Sequence, residues 1–215
     1  MEHTVPAALE RRKAPRQARS AVTVDAIFDG TIQVLLTDGP TRLNTTRVAQ
    51  RAGVSVGTLY QYFPNKQALL FAVLERHIAM LADTLEAACG DHRGAPAEVM
   101  AGAVVEAYLE AKTRQCEISR ALYLIAIEID ARGLIEAATR RSEQAIAAML
   151  STANDGHFPD PYIVAQTLLA AVIGTVRAFY ERDLPPAIGG EVERQLTIMG
   201  RSYVAAARRA EQRAA

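Results

Sequence analysis

Between Ser55 and Leu70 the chain reads SVGTLYQYFPNKQALL, which sets Tyr60, Gln61, Tyr62 and Lys66 close together. The whole sequence holds seven Tyr, five Phe and no Trp, so Tyr60, Tyr62 and Phe63 side by side are a concentration. Two phenols, a carboxamide and an ammonium are suited to an oxygen-rich polyanion. The amide can pair with the edge of a base, and the phenols and ammonium with phosphate oxygens.

The flanking residues say how these groups are presented. Asn44 or Thr45 can cap a short helix whose Val48, Ala49 and Ala52 form its apolar face. Gly53 ends that helix and suits the tight turn before Val54, and Ser55 caps a following helix over 56–63. Two short helices joined by a glycine turn form the helix-turn-helix pattern, whose second helix enters the major groove of DNA. Val56, Gly57 and Thr58 are small enough for close approach to base edges. Gln61 can read a base by hydrogen bonds, and Val56 or the Thr58 methyl can meet a thymine methyl. Leu59 and Phe63, four apart, share the face that plugs the core. Tyr60 and Tyr62 carry two readings, as phosphate contacts or as packing residues with wet hydroxyls; the phosphate reading is preferred for Tyr60 and left open for Tyr62. Pro64 stops the helix at Phe63. Asn65 then caps the next one with Lys66 in its first turn, where a cation suits the helix poorly but would help to hold a phosphate.

The run TTRVAQRAGVSVGTLYQYFPNKQALL resembles the DNA-binding segment of TetR-family transcriptional regulators, over about Ser20 to His77. The resemblance implies that Val56, Gly57, Thr58 and Gln61 face bases. It implies that Thr45, Thr46, Tyr60, Tyr62 and Lys66 mostly serve phosphates. It further implies a homodimer that binds a double-stranded operator, with a divergent effector-binding body and no cofactor.

Composition fits that expectation. The 215 residues are 50% hydrophobic and 22% charged with no net charge, ordinary for a folded protein. The charge is uneven: from Arg11 to Lys66 nine Lys and Arg face three acids, whereas from Gln67 onward fifteen face nineteen. An N-terminal polyanion site on a neutral or acidic body follows. Two cysteines, Cys89 and Cys116, make no disulfide framework and read as free thiols. The first twenty residues lack a signal peptide's apolar core, and the longest apolar run, Tyr162 to Val176, falls short of a bilayer, so the expected location is the cytoplasm.

Helical periodicity dominates, and the expected fold is all-α with about nine helices. A basic arm over 1–19 (Pro6, Pro15, Arg11, Arg12, Lys13, Arg16, Arg19) reads either as a solvated tail or as an arm on the phosphate backbone. A three-helix helix-turn-helix domain over 20–66 follows, then an effector-binding and dimerisation domain over 67–215. The first helix is expected over Ser20–Thr37. A long helix from near Lys66, with Leu70, Leu74, Ile78, Leu81 and Leu85 on one stripe, reads as a lever ending at CGDHRGAP. A fifth helix, to about Arg114, should turn Val99, Ala103, Tyr108 and Met100 inward. A sixth, ISRALYLIAIEID, is apolar all round and should be buried centrally. A seventh covers Leu134–Thr152. The last two, Pro161–Arg182 and Glu191–Arg209, offer dimer contacts through Ala170, Gly174, Ala178, Leu196, Met199 and Tyr203.

Enzyme chemistry finds no support. His3, His77, His92 and His157 are scattered without metal-ligand spacing, and no nucleophile elbow or phosphate-cradling loop occurs. Effector-pocket candidates are the polarisable or aromatic residues Met80, Met100, Tyr108, Cys116, Tyr123 and Phe179, which favour an apolar or aromatic ligand. Two rival readings are a DNA-coating protein that binds by charge, and a helical ligand-binding protein without DNA activity. The expected function is a homodimeric repressor released from a pseudo-palindromic operator by a small molecule.

Overall fold

The computed structural model describes residues 18–114, 116–182 and 189–212. Of the expected basic arm, 1–17 and the Ala18 and Arg19 side chains lie outside the described residues. Nine α-helices are described: α1 (Ala18–Asp38), α2 (Thr45–Arg51), α3 (Val56–Tyr62), α4 (Lys66–Asp91), α5 (Ala97–Arg114), α6 (Cys116–Glu128), α7 (Arg132–Leu150), α8 (Pro161–Glu181) and α9 (Gly189–Gln212). A single 3-10 turn, Pro40–Arg42, bridges α1 and α2. The described residues contain no strand, so the fold is all-α.

The chain packs as two compact units. The first comprises residues up to 79 together with 115–137, so α6 joins α1–α3 and the first half of α4. Its core includes Ile27, Phe28, Val34, Leu59, Phe63, Leu69, Leu70, Leu122 and Ile125. The Phe28 and Phe63 rings meet at 5.8 Å between centroids, tilted by 37°. A Cβ on Gly30 would stand 3.0–3.2 Å from atoms of Ala52 and Val48, so the missing side chain is what lets α1 lie directly on α2. Two links fasten α4 to its neighbours here. Arg76 reaches Asp25 at 2.5 Å while covering the Phe28 ring, and buried Ser119 on α6 hydrogen-bonds His77 at 3.2 Å.

The second unit holds 80–114 and 138–215, with a core that includes Leu85, Met100, Val104, Val105, Ile146, Met149, Leu168, Leu169, Leu196 and Val204. Gly200 lets α9 approach α5 and α8, since a Cβ there would meet Val105 and Leu168 at 3.1–3.2 Å. The Asp155 carboxylate caps α5 through the Ala97 amide at 2.9 Å and also pairs with Arg208 of α9. Tyr162 donates its hydroxyl to buried Glu143 at 2.7 Å, and that hydrogen bond holds the phenol above its ordinary pKa.

Three expectations need correction. Val99 points outward, 46% exposed, whereas the other expected residues, Met100, Ala103 and Tyr108, are buried with Ala97, Ala101, Val104 and Val105. Nor is α6 buried all round. Ser119, Leu122 and Ile125 are buried, but Leu124 and Ile127 are 52% and 66% exposed, so a nearly uniform apolar sequence serves a one-sided helix. Finally, α8 carries a stretch, Pro161–Phe179, long and apolar enough by composition to cross a bilayer, as does Ser20–Asp38 of α1. In this fold about a third of each stretch enters a core, including Ile27, Phe28, Val34, Ala165, Leu168, Leu169 and Val172.

Lys112, near the end of α5, is the conspicuous charge beside the second core. Its half-buried ammonium lies 5.8 Å from the Tyr108 ring, and burial pushes it down from 10.5 to about 8. A lysine depressed in the folded state costs stability most below pH 8, where it is protonated in both states, and the cost fades as pH rises towards 10.5. Lys112→Met should therefore raise the melting temperature at pH 7, with the gain over wild type shrinking as pH approaches 10.5. A gain independent of pH, or none, would show that the buried charge is not the cause.

Candidate nucleic-acid interface

Local chemistry fixes each helix of the candidate site. The Asn44 side chain accepts from the Arg47 amide at 2.9 Å and so caps α2. Ser55 caps α3 through the Thr58 amide at 2.9 Å, and Asn65 caps α4 through the Ala68 amide at 2.8 Å. Between α2 and α3, Gly53 takes φ 68°, the left-handed region that an L side chain rarely adopts. The turn thus depends on glycine there.

Leu59 and Phe63 are both fully buried, and they roll the rest of α3 outward. Gly57, Tyr60 and Gln61 are exposed, and Val56, Thr58 and Tyr62 half-buried. The Thr58 hydroxyl is engaged by Ser55 Oγ at 2.8 Å, which leaves its methyl as the uncommitted group. At Gly57 the only atom near an added Cβ is Ser55 Oγ at 3.7 Å, an ordinary contact. Glycine costs a helix interior about 1 kcal/mol relative to alanine. Among the described residues nothing crowds a side chain there, so Gly57 leaves the outer surface of α3 open to close approach.

The phosphate candidates surround this face. Tyr60 OH and Thr45 Oγ1 lie 3.0 Å apart, which joins the exposed edge of α3 to the start of α2. One hydroxyl of such a pair donates to the other, leaving the second proton for an external oxygen. Thr46, next along α2, is exposed. Tyr62 directs its hydroxyl to Ser20 Oγ of α1 at 3.3 Å, and its ring lies 6.5 Å from that of Phe63. Lys66 sits half-buried in the first turn of α4, its ammonium 3.5 Å from the Pro40 carbonyl of the 3-10 turn. Together these groups make a surface with hydroxyls and a cation around a helix of small and amide side chains. Such groups are able to hydrogen-bond to bases and phosphates.

The other candidates fall elsewhere. Met100 and Tyr108 are buried in the second core. Met80 is half-buried on α4, its sulfur 3.9 Å from the Thr84 hydroxyl. Cys116 is exposed and Tyr123 half-buried, both on α6 in the first unit. Phe179 lines a shallow groove of about 450 Å³ on α8, with Ala170, Gly174 and Ala178. Of the dimer candidates, Leu196 is buried in the protomer's own core and Tyr203 packs half-buried against it, whereas Ala170, Gly174 and Met199 face outward. Cys89 is buried, and burial followed by nearby Glu86 raises its thiol to about 11, an unreactive setting.

Two family models match the sequence. Residues 27–73 match the bacterial regulatory proteins of the tetR family, and residues 96–203 match the tetracyclin repressor-like C-terminal domain. An uncharacterized HTH-type transcriptional regulator of Haemophilus influenzae is 35% identical over 71 residues, 33% of this chain and 37% of that protein. The HTH-type transcriptional repressor KstR of Mycolicibacterium smegmatis is 44% identical over 50 residues, 23% of this chain and 24% of its own. The matched region thus spans little more than a third of these relatives, at most. Among solved structures, the fatty acid degradation regulator FadR from Bacillus halodurans superposes with a TM-score of 0.62 at 18% identity, covering 86% of this chain and 97% of that one. A protein assigned to the TetR-family regulators from Mesorhizobium loti reaches 0.69 at 16% identity, over 88% and 98%. These likenesses show the fold, and the second family model covers half of the sequence. The chain belongs to the tetR family of bacterial regulatory proteins.

Proposed function

We propose that this protein is a sequence-specific DNA-binding transcriptional regulator, acting in the cytoplasm as a homodimeric repressor. The observation that carries the reading is α3, which turns Gly57, Tyr60 and Gln61 outward while Leu59 and Phe63 are fully buried. Val56, Gly57, Thr58 and Gln61 read bases, and Thr45, Thr46, Tyr60, Tyr62 and Lys66 take phosphates. Two copies of α3, about 34–36 Å apart, enter successive major grooves of a pseudo-palindromic operator.

The partner in the dimer is a second copy seated on α8. Gly174 lies in mid-helix, exposed, with no atom within 4 Å of an added Cβ, so its smallness serves no packing inside the chain. It lines the α8 groove with Ala170 and Ala178, and outward-facing Ile163, Ile198 and Met199 add apolar surface on α8 and α9. An apolar or aromatic small molecule, held by the second unit around residues such as Met100 and Tyr108, favours a different state of the dimer from the one the operator favours and so releases it. α4 runs unbroken from the first unit into the second and is one covalent route between them.

Fluorescence anisotropy with a duplex from upstream of the protein's own gene, against a scrambled duplex at about 150 mM salt, tests the reading directly. A preference of about 10³-fold or more establishes a specific regulator; equal weak binding to every duplex tried, governed by salt alone, assigns the protein to DNA coating instead. Within a specific complex, Gln61→Ala should flatten the preference at one operator position at a cost of about 1–3 kcal/mol. An unchanged preference removes Gln61 from the reading face.

Gly57→Ala separates the two roles of α3. It should stabilise the free protein by about 0.5–1 kcal/mol, as alanine does for a helix, and weaken operator binding at least tenfold. Unweakened binding would mean that no surface comes close to Gly57. For the dimer, Gly174→Leu should shift the sedimentation equilibrium towards monomer without loss of helicity. A wild-type monomer, or a variant as dimeric as wild type, would move the interface off this face.

A further inference from the structure

The 3-10 turn between α1 and α2 lies outside the groups assigned above, yet three cations from three elements gather on it. Lys66 of α4 sets its ammonium 3.5 Å from the Pro40 carbonyl. Arg42, the last residue of the turn, is exposed, and the contact at this residue is made by its backbone carbonyl, which accepts from Asn44 Nδ2 at 3.5 Å. Arg47, in the first turn of α2, donates to Asp38 Oδ2 at 2.9 Å. Asp38 thus pairs with Arg47, and with Arg42 in the turn and Lys66 against it the segment carries a surplus of positive charge.

The Arg47–Asp38 pair does not make structural sense as two separate placements. Asp38 ends α1, where an anion is disfavoured by the helix's carbonyl end, and Arg47 stands where a cation is disfavoured by the amide end of α2. The two side chains remain 30% and 47% exposed, so the pair is weak, screened by salt and readily exchanged for another partner. Beside them runs an open polar groove lined by Val34, Asp38, Arg47, Gln50 and Arg51. On α2 itself, Arg47 follows Thr45 and Thr46 by two and one positions, and Thr45 is joined to Tyr60. The turn therefore continues the hydroxyl-and-lysine edge of the interface instead of standing apart from it.

We infer that the Pro40–Arg42 turn is a second phosphate-binding segment, in which Arg42 and Arg47 take backbone phosphates flanking the one held by Lys66. Arg47 leaves Asp38 to do so, and Asp38 acts as the holder that keeps its guanidinium ordered in the free protein. Guanidinium groups suit this role because their fixed fork matches two phosphate oxygens at once. The contacts carry no sequence information; they lengthen the footprint and fix the orientation of α3 in the groove.

The inference rests on the DNA-binding reading, and the salt dependence of binding tests both separately. Log Kd against log salt is measured for wild type, Lys66→Ala, Arg42→Gln, Arg47→Gln and Asp38→Asn on an operator and on a scrambled duplex, with circular dichroism and melting temperature in parallel. Each of the two arginine variants should lower the slope by about one per subunit, as Lys66→Ala does, and weaken both duplexes alike. Asp38→Asn should tighten both duplexes several-fold by freeing Arg47 and removing a negative charge. Unchanged slopes for Arg42→Gln and Arg47→Gln beside a reduced slope for Lys66→Ala overturn the inference and leave the DNA reading standing. A lowered melting temperature for Arg47→Gln with an unchanged slope makes the pair a structural latch and equally overturns it. Absence of salt-dependent binding by wild type to any duplex removes both.

Discussion

The interface hangs on two side chains that never reach it. A seven-residue helix is too short to persist by itself in water, because nucleating it fixes more backbone than its few hydrogen bonds repay. What holds α3 is the full burial of Leu59 and Phe63. Each contributes roughly 1.5–3 kcal/mol by burial, more than the ~1 kcal/mol expected from the Ser55 cap. Four residues apart on a 3.6-residue period, they also fix the helix's rotation. With those two inside, Gly57, Tyr60 and Gln61 have nowhere to point but outward. The position and the rotation of α3 thus come from one packing event.

Glycine serves opposite ends in the two kinds of place it occupies within helices. At Gly30 and Gly200 a Cβ would press on neighbouring helices at 3.0–3.2 Å, so the residue is an internal requirement that sets how closely α1 meets α2 and how α9 meets α5 and α8. At Gly57 and Gly174 the surroundings are open or nearly so. There the chain tolerates a weaker helix without any benefit of its own. On the reading proposed above, the space at Gly57 receives a groove of DNA and that at Gly174 a second copy.

Much of the architecture was legible in the sequence because its signals are local. Asn44, Ser55 and Asn65 cap the helices expected of them, and Gly53 turns where a positive φ is required. Pro64 ends α3 within a residue of the expected place. Side-chain polarity was a poorer guide where nearly every position is apolar. In α6, Leu124 and Ile127 read as core no less than Leu122 and Ile125, and only the tertiary arrangement decides which pair is covered. In α5 the alanines and valines offer two nearly equivalent stripes, and Val99 fell on the wrong one. The gathering of Arg42, Arg47 and Lys66 was not legible at all. Lys66 is far from Arg42 and Arg47 in sequence, and only the path of the 3-10 turn brings the Pro40 carbonyl to its ammonium. The effector stayed hidden for a related reason: Met100 and Tyr108 look alike whether they fill a core or line a ligand.

The first unit is discontinuous in the chain, being completed by residues 115–137. This bears on how the protein is born. Leu122, Ile125 and Ile129 pack in the same core as Ile27, Phe63 and Leu70, so the helix-turn-helix cannot finish burying its apolar surface when residue 79 leaves the ribosome. It waits for another stretch of nearly sixty residues, several seconds at about 5–20 residues per second. During that interval the nascent reading head carries an open apolar face. A messenger cut short between the two segments would yield a chain that has every residue proposed to read bases and no finished core to aim them.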